Sequence, residues 1–339
     1  MRWPWQTRAN SLRLSLRMTP ELFAYVLGEP GAALRSWGAI WRGGDSEDDF
    51  NRRIKALGLQ AGEVQALLEP PDYQILKVDS PKVPAAEMKA AARWQIKEMV
   101  EHKLEELTLD VLHVGIDVHR GQPQMFVIAA QNSALRQLNE RAGALQLGLD
   151  IADIWETALR NLQSAQAKHD GLGERACAAL LWRDGEPCLL CICAEGELYY
   201  TRRLDSDARL LARAIQSDKP AASLEAGLSF EAPPTDANGI VDYSSGGEES
   251  ALVIELQRSI DVWERSTPDL PLARLYVVAA EHAEPLAALL QRELGLRSSA
   301  LQLGEIFSGL QAGDAQQQLE LAACLPLLGA SLRDSGKEL

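Results

Sequence analysis

The chain has 339 residues, 46% of them hydrophobic and 24% charged, with a formal net charge of −14. That length exceeds what one compact core usually takes, so two domains or a bilobed molecule is expected. The acid excess argues against a nucleic-acid binder, which needs a basic face to displace counterions, and against broad adhesion to anionic lipid.

Met1 to Arg8 sets Trp3 and Trp5 beside Arg2 and Arg8, with neither an apolar core nor a small-residue cleavage site behind them, so no signal peptide is expected. The amphipathic indoles suit a membrane surface or a partner-packed end. Leu12 to Leu16 alternates apolar and polar residues as a strand does. Leu22 to Leu27 reads as a second strand, and Asp45 to Leu57 and Val64 to Leu68 read as helical. Tyr73 to Asp79 alternates as a half-buried strand, which Ser80-Pro-Lys-Val-Pro84 stops. A helix then begins at Pro84, whose missing N–H would be unpaired in a first turn anyway. Met88, Ala91, Ala92, Ile96 and Met99 recur at the spacing of one buried face. Trp94 and Met99 lie on or beside that stripe, placed for core packing or for a partner. Extended segments at Thr108 to Val114 and Met125 to Ala130 flank the turn-rich Arg120-Gly-Gln-Pro123, and a helix runs from Ser133 to near Gly143.

A further helix is expected from Asp153 to Ala167. Ala176 to Trp182 is a continuous apolar run, as in a strand buried on both faces. Turns at Asp184-Gly185 and Glu195-Gly196 join it to strands at Cys188 to Cys193 and Glu197 to Leu204, three antiparallel strands in a row. Residues 216–250, rich in Ser, Gly, Pro, Ala and acids, show no period and read as a loop or disordered insertion. Then come a helix from Leu252 to Trp263, a buried strand from Ala273 to Ala280, and a helix from His282 to Leu294 ended by a left-handed cap at Gly295. The longest apolar stretch, Leu319 to Leu332, is broken by Glu320, Pro326 and Gly329. No transmembrane helix is expected, which points to the cytoplasm.

Enzyme signatures do not stand out. There is no G-x-S-x-G elbow, H-E-x-x-H, dinucleotide fingerprint or P-loop. His102, His113, His119, His169 and His282 are scattered, and Glu101, Glu105, Glu106 and Asp110 read as a solvated acidic surface. Five cysteines, an odd number, do not make a disulfide framework. Cys188 and Cys191 have the spacing of a zinc knuckle, with Cys193 close by. On a strand, however, residues three apart point to opposite faces, so small buried hydrophobes are expected there and no metal.

The order of strand, Pro-bounded helix, paired strands, Val127-Ile-Ala-Ala130 and helix resembles the PilM family of actin-like pilus-assembly proteins, and within it the branch that serves MSHA-type pili. The resemblance rests on Val83-Pro84 followed by Glu87, Ala92-Arg-Trp-Gln95, Leu107-Thr-Leu-Asp110, Gly148-Leu-Asp-Ile-Ala-Asp153 and Leu325-Pro-Leu-Leu-Gly-Ala-Ser-Leu-Arg333. It covers most of the chain from about residue 65 onward, and its specificity lies in order and spacing.

The resemblance implies an α/β, actin-like (ribonuclease H-like) bilobed fold. Residues 1–70 would open the first lobe, 71–147 form an inserted subdomain, and 148–170 return to the first lobe. Residues 171–318 would make the second lobe, with a loop at 216–250, and 319–339 a C-terminal helix and tail. Nucleotide-binding relatives place a Gly-rich hairpin with an Asp under the phosphates in each lobe. Here Leu14 to Glu21 has neither residue, and Trp182-Arg-Asp-Gly-Glu-Pro187 lacks the small polar residues that follow. Val277 to His282 stands where a Gly-Gly pair would approach the base. A degenerate site is therefore expected, with no cofactor, no bound metal and no enzyme activity. ATP with magnesium is disfavoured, and Asp184 and Gly185 are the residues that would matter if a nucleotide bound.

The implied partner is the cytoplasmic tail of a PilN-like bitopic inner-membrane protein, held in a groove between the first lobe and the subdomain. Tyr73, Leu76, Val78, Trp94 and Met99 are the candidate contacts, with Tyr73 to Val78 as a sheet edge able to accept an extended peptide. The pilus assembly ATPase is a further expected partner, and the expected place is the cytoplasmic face of the inner membrane. Two alternatives stay open. One is a diverged ATPase, and the other is a type II secretion platform component of the GspL kind, which would continue into a transmembrane helix.

Overall fold

A hairpin of alternating residues comes first in the fold. β1 (Arg13–Met18) and β2 (Leu22–Gly28) pair antiparallel, and β3 (Leu34–Trp41) continues the meander. The computed structural model describes residues 12–31, 33–115, 123–183, 186–217, 250–310 and 312–334. The N-terminal tryptophans, the Asp184-Gly185 turn and most of 216–250 lie outside these.

After α1 (Glu47–Lys55), whose first turn is capped by the Ser46 hydroxyl, β4 (Glu63–Leu67) lies parallel to β1. With β8 (Ile151–Asp153), parallel to β4, they form one sheet of order β3-β2-β1-β4-β8. The segment expected to be helical at Val64 to Leu68 is thus a central strand. It misleads because its polar members are buried too: Glu63 accepts from Arg13 Nε at 2.6 Å, and Gln65 donates to Ser15 Oγ at 2.7 Å. A strand covered on both faces loses its period of two.

The second lobe repeats the plan. β9 (Ala176–Leu181), β10 (Cys188–Ala194) and β11 (Glu197–Leu204) form an antiparallel meander. β12 (Leu272–Val278) and β13 (Ser298–Ala300) extend it in parallel on the β9 side, giving the order β11-β10-β9-β12-β13. The two sheets therefore share one topology, a duplication with no trace in the sequence.

Between β4 and β8 the subdomain is inserted: β5 (Tyr73–Asp79), α2 (Ala85–Gln95), β6 (Leu107–His113), β7 (Gln124–Gln131) and α3 (Asn132–Ala144). Its sheet has the order β5-β7-β6. Met88, Ala92 and Ile96 of the α2 segment cover one face of it, while Leu138 and Ala142 of α3 join the core of the first lobe.

Two helices are exchanged between the lobes. α4 (Trp155–His169) was expected to return to the first lobe, but it lies on β9, β10 and β11 of the second. The helix that covers β1, β2 and β3 is α9 (Ala315–Ser331), which follows the remaining helices α5 (Ala208–Ser217), α6 (Ala251–Ser266), α7 (Ala283–Leu294) and α8 (Leu303–Ile306). An amphipathic stripe shows that a helix has a buried face, but not which sheet it covers.

α4 and α9 pack on each other, closely enough at Gly329 that a Cβ there would stand 2.1 Å from the Ala158 carbonyl oxygen. The last carbonyls of α9, which a helix leaves unpaired, are met by side chains of the first lobe and of α4. Asn161 donates to Gly329 O at 3.0 Å, Gln65 to Ala330 O at 2.6 Å, and Arg13 to the carbonyls of Ser331 and Arg333. This is the physical content of the C-terminal Leu-Pro-Leu-Leu-Gly-Ala-Ser motif.

Candidate functional site

The lobes and the subdomain meet at the start of α4. No side chain from the helix's own cap closes its first turn. Instead the Tyr73 hydroxyl, arriving from β5, accepts the Trp155 N–H at 3.2 Å and donates to the Glu156 carboxylate. Glu156 is fully buried and also takes Arg203 Nη2 of β11 at 3.1 Å. Arg203 spans the seam: its guanidinium lies 4.6 Å from the Tyr73 ring centre and donates to Pro70 O at 2.7 Å. Burial, then the charge of Glu156, holds the Tyr73 phenol well above its ordinary pKa. Burial works against the Arg203 charge, but Glu156 and Tyr73 outweigh it and raise its pKa. An acid at a helix N-terminus is also favoured by the dipole.

Next to this group, Trp155 is enclosed by two arginines that stand at the hairpin end of the first strand in each lobe. Arg17 lies 5.0 Å and Arg183 4.2 Å from the indole centre. Arg17 is held by a two-point contact with Glu69, at 2.8 and 3.0 Å. Burial, then the neighbouring charge of Arg17, lowers the Arg183 pKa to about 10. A cavity of about 390 Å³ lies beside the indole, walled by Pro70, Pro71, Arg183, Pro187 and Leu204 among others.

The β1–β2 turn has no free amide to offer an anion. Thr19 N–H donates to Leu22 O at 2.9 Å, Glu21 and Leu22 N–H both donate to Thr19 Oγ1, and Pro20 has no N–H. After β12, Ala279 to His282 leads into α7 with His282 in the left-handed region at φ 58°. Asp184 and Gly185 lie outside the described residues.

The five candidate partner residues do not form one surface. Tyr73 is buried in the seam just described. Leu76 and Val78 are half-buried and pack with the apolar cluster under α2. Trp94 is 74% exposed and Met99 48% exposed, so neither belongs to the buried stripe. Position 94 falls opposite Ala92 and Ile96 on the helix, and α2 ends at Gln95, before Met99. Among the described residues β5 stands at the end of its sheet, beside β7, where a sheet edge was expected. Arg17, Trp155, Glu156, Arg183 and Arg203 were missed in the sequence. The available signal was the Trp155-Glu156 pair at the start of a helix and arginines at the ends of strands, Arg17 in β1, Arg183 just past β9 and Arg203 in β11. The five cysteines are reduced and buried, and no group of potential metal ligands occurs among the described residues.

Neither a family model nor a curated protein matches the sequence. Among solved structures, the chain is similar to one from a PilM-PilN type IV pilus biogenesis complex. The TM-score is 0.64 and the identity 18%, over 97% of this chain and 100% of that one. It is also similar to the cytoplasmic domain of EpsL, an inner membrane component of the type II secretion system of Vibrio cholerae, with TM-score 0.42 and 13% identity over 64% of this chain and 79% of that one. A Bacteroides thetaiotaomicron protein with an actin-like ATPase fold gives TM-score 0.44 and 10% identity over 89% and 94% of the two chains. The chain has the actin-like α/β fold, in a form that the PilM-PilN structure matches over nearly its whole length. No helix among the described residues is long and apolar enough to cross a membrane.

Proposed function

We propose that the chain is a scaffold of a type IV pilus system, of the MSHA type served by MshI, which holds the cytoplasmic tail of a PilN-like inner-membrane protein and hydrolyses no nucleotide. It would work from the cytoplasmic face of the inner membrane, anchored through that partner, and pass contact on to the assembly ATPase. The observation that carries the nucleotide-free reading is the β1–β2 turn, whose amides are all consumed internally or absent. Phosphate cradles depend on free backbone N–H groups. The buried Trp155 with its two arginines, where the lobes meet, supports the same reading. The fold likeness to PilM in its complex with PilN supports the choice of partner. Trp94, an exposed aromatic on the subdomain, is the anchor we assign to it.

The test has two arms. Immobilised cytoplasmic tails of PilN-like proteins should retain the full chain, and calorimetry with ATP and magnesium should give no saturable heat. Failure of several cognate tails to retain the folded protein overturns the capture reading. Saturable ATP binding overturns the nucleotide-free one.

A further inference from the structure

Trp94 is the most exposed large apolar side chain among the described residues, at 74%, and it stands on a helix face turned to solvent. α2 buries Met88, Ala92 and, at its cap, Ile96 against the subdomain sheet. By the helical step the opposite face centres on Ala90, with Ala86 and Trp94 one turn to either side, and all three are exposed.

Charge divides along this face. Lys89 and Arg93 fall to one side of the line from Ala86 to Ala90, while Glu87 falls with Trp94 on the other. The cations continue in sequence with Lys82 before the helix and Lys97 in the turn after it. Asp110 balances Lys89 at 2.8 Å, and Arg93 donates to the Leu104 carbonyl, which carries no charge to offset its own. Among the described residues no acid forms an ion pair with Lys82, Arg93 or Lys97, although Glu98 and Glu101 follow closely in the chain. In a chain of net charge −14 this flank is a local exception.

Small residues in the middle of a face let a second helix approach closely, with axes about 8 Å apart. An extended strand has nothing to pair with here, because a helix uses its own backbone groups. Lipid is a poorer match. Trp94 and Met99 are the large apolar groups exposed on this segment, fewer than an interfacial helix sinks into a bilayer, and the acid excess of the chain opposes an anionic surface.

We infer that this face docks an amphipathic helix of a partner protein, which lies on Ala86 and Ala90 beside Trp94 and turns an acidic flank to Lys82, Arg93 and Lys97. This deepens the reading of Trp94 as a partner anchor, and rests on it, by giving the partner a shape and a charge.

The experiment displays helical peptides of about 18 residues, five turns, with random residues on both flanks, and selects them on the full chain against Trp94→Ala. Selected peptides should carry acids along one flank and should bind Trp94→Ala and Ala90→Gln about 10-fold more weakly. Lys82→Glu combined with Lys97→Glu should lose them too, and peptides with those acids changed to lysine should bind that double variant. All four positions are exposed, so the variants keep the fold. Enrichment of bases or of no charge, equal binding to Trp94→Ala, or failure of the reversed peptides refutes the docked helix. So does a Trp94-dependent occupant of another kind, read as co-sedimentation with phosphatidylglycerol vesicles or as self-association in the ultracentrifuge. Peptides that bind while PilN-like tails do not would sink the pilus partner and leave this surface standing. Tails held through Trp94 with no dependence on acids would do the reverse.

Discussion

The hydroxyl of Tyr73 both accepts the amide of Trp155 and donates to the carboxylate of Glu156, so one side chain of the subdomain closes the first turn of a helix that lies on the second lobe. Removing that oxygen in Tyr73→Phe leaves a buried N–H without its partner and the buried Glu156 carboxylate with Arg203 alone. The expected loss is about 1–3 kcal/mol of stability, read from urea denaturation. A change under about 0.5 kcal/mol, the range of ordinary surface substitutions, would show that the seam does not depend on this bond.

Gly329 offers a test of the helix crossing. A methyl group there meets backbone, the Ala158 carbonyl, at 2.1 Å, which no rotamer change relieves. Gly329→Ala should cost about 3 kcal/mol or prevent folding. Gly143→Ala, in α3 with open space around the position, should instead stabilise by about 0.5–1 kcal/mol. Thermal melts of the two variants, made side by side, separate the crossing from a general dislike of replacing glycine.

Trp94→Ala should leave the melting temperature within about a degree of the parent, because the side chain is largely in water. Under the proposed function the same change should weaken retention on PilN-like tails at least 10-fold, as loss of an aromatic anchor does. Unchanged retention would move the anchor away from this helix.

Alkaline pH should loosen the second lobe. Burial pushes the Cys177 and Cys188 thiols up to about 11, from an ordinary value of 9.0. A raised folded-state pKa contributes stability that is complete below pH 9 and is lost as the pH climbs toward 11. Melting temperatures measured from pH 7 to 11 should therefore hold level and then fall above pH 9. At pH 8 the native chain should react with a disulfide reagent only as fast as it opens.

Much of the second lobe was legible because β9 and β10 are unbroken apolar runs with turn residues between them and β11. β3 escaped notice because Leu34 to Trp41 mixes Arg, Ser and Gly into an edge strand that is half-exposed at several positions. β4 was misread because salt-bridged and hydrogen-bonded polar residues sat where apolar ones were awaited. The seam around Glu156 was out of reach for a different reason. Its members stand at positions 17, 73, 155, 156, 183 and 203, and only the closure of both sheets brings them together. The opposite facing of Trp94 was available from the 100° helical step, since it sits two residues from both Ala92 and Ile96.

The exchange of α4 and α9 has a consequence for how the molecule is made. β1, β2 and β3 are synthesised long before the helix that covers them, which begins only at Ala315. Until residues 315–331 emerge, β1, β2 and β3 must wait with an uncovered apolar face. The core of the first lobe therefore closes only once α9 has been made, and the growing chain needs shielding until then.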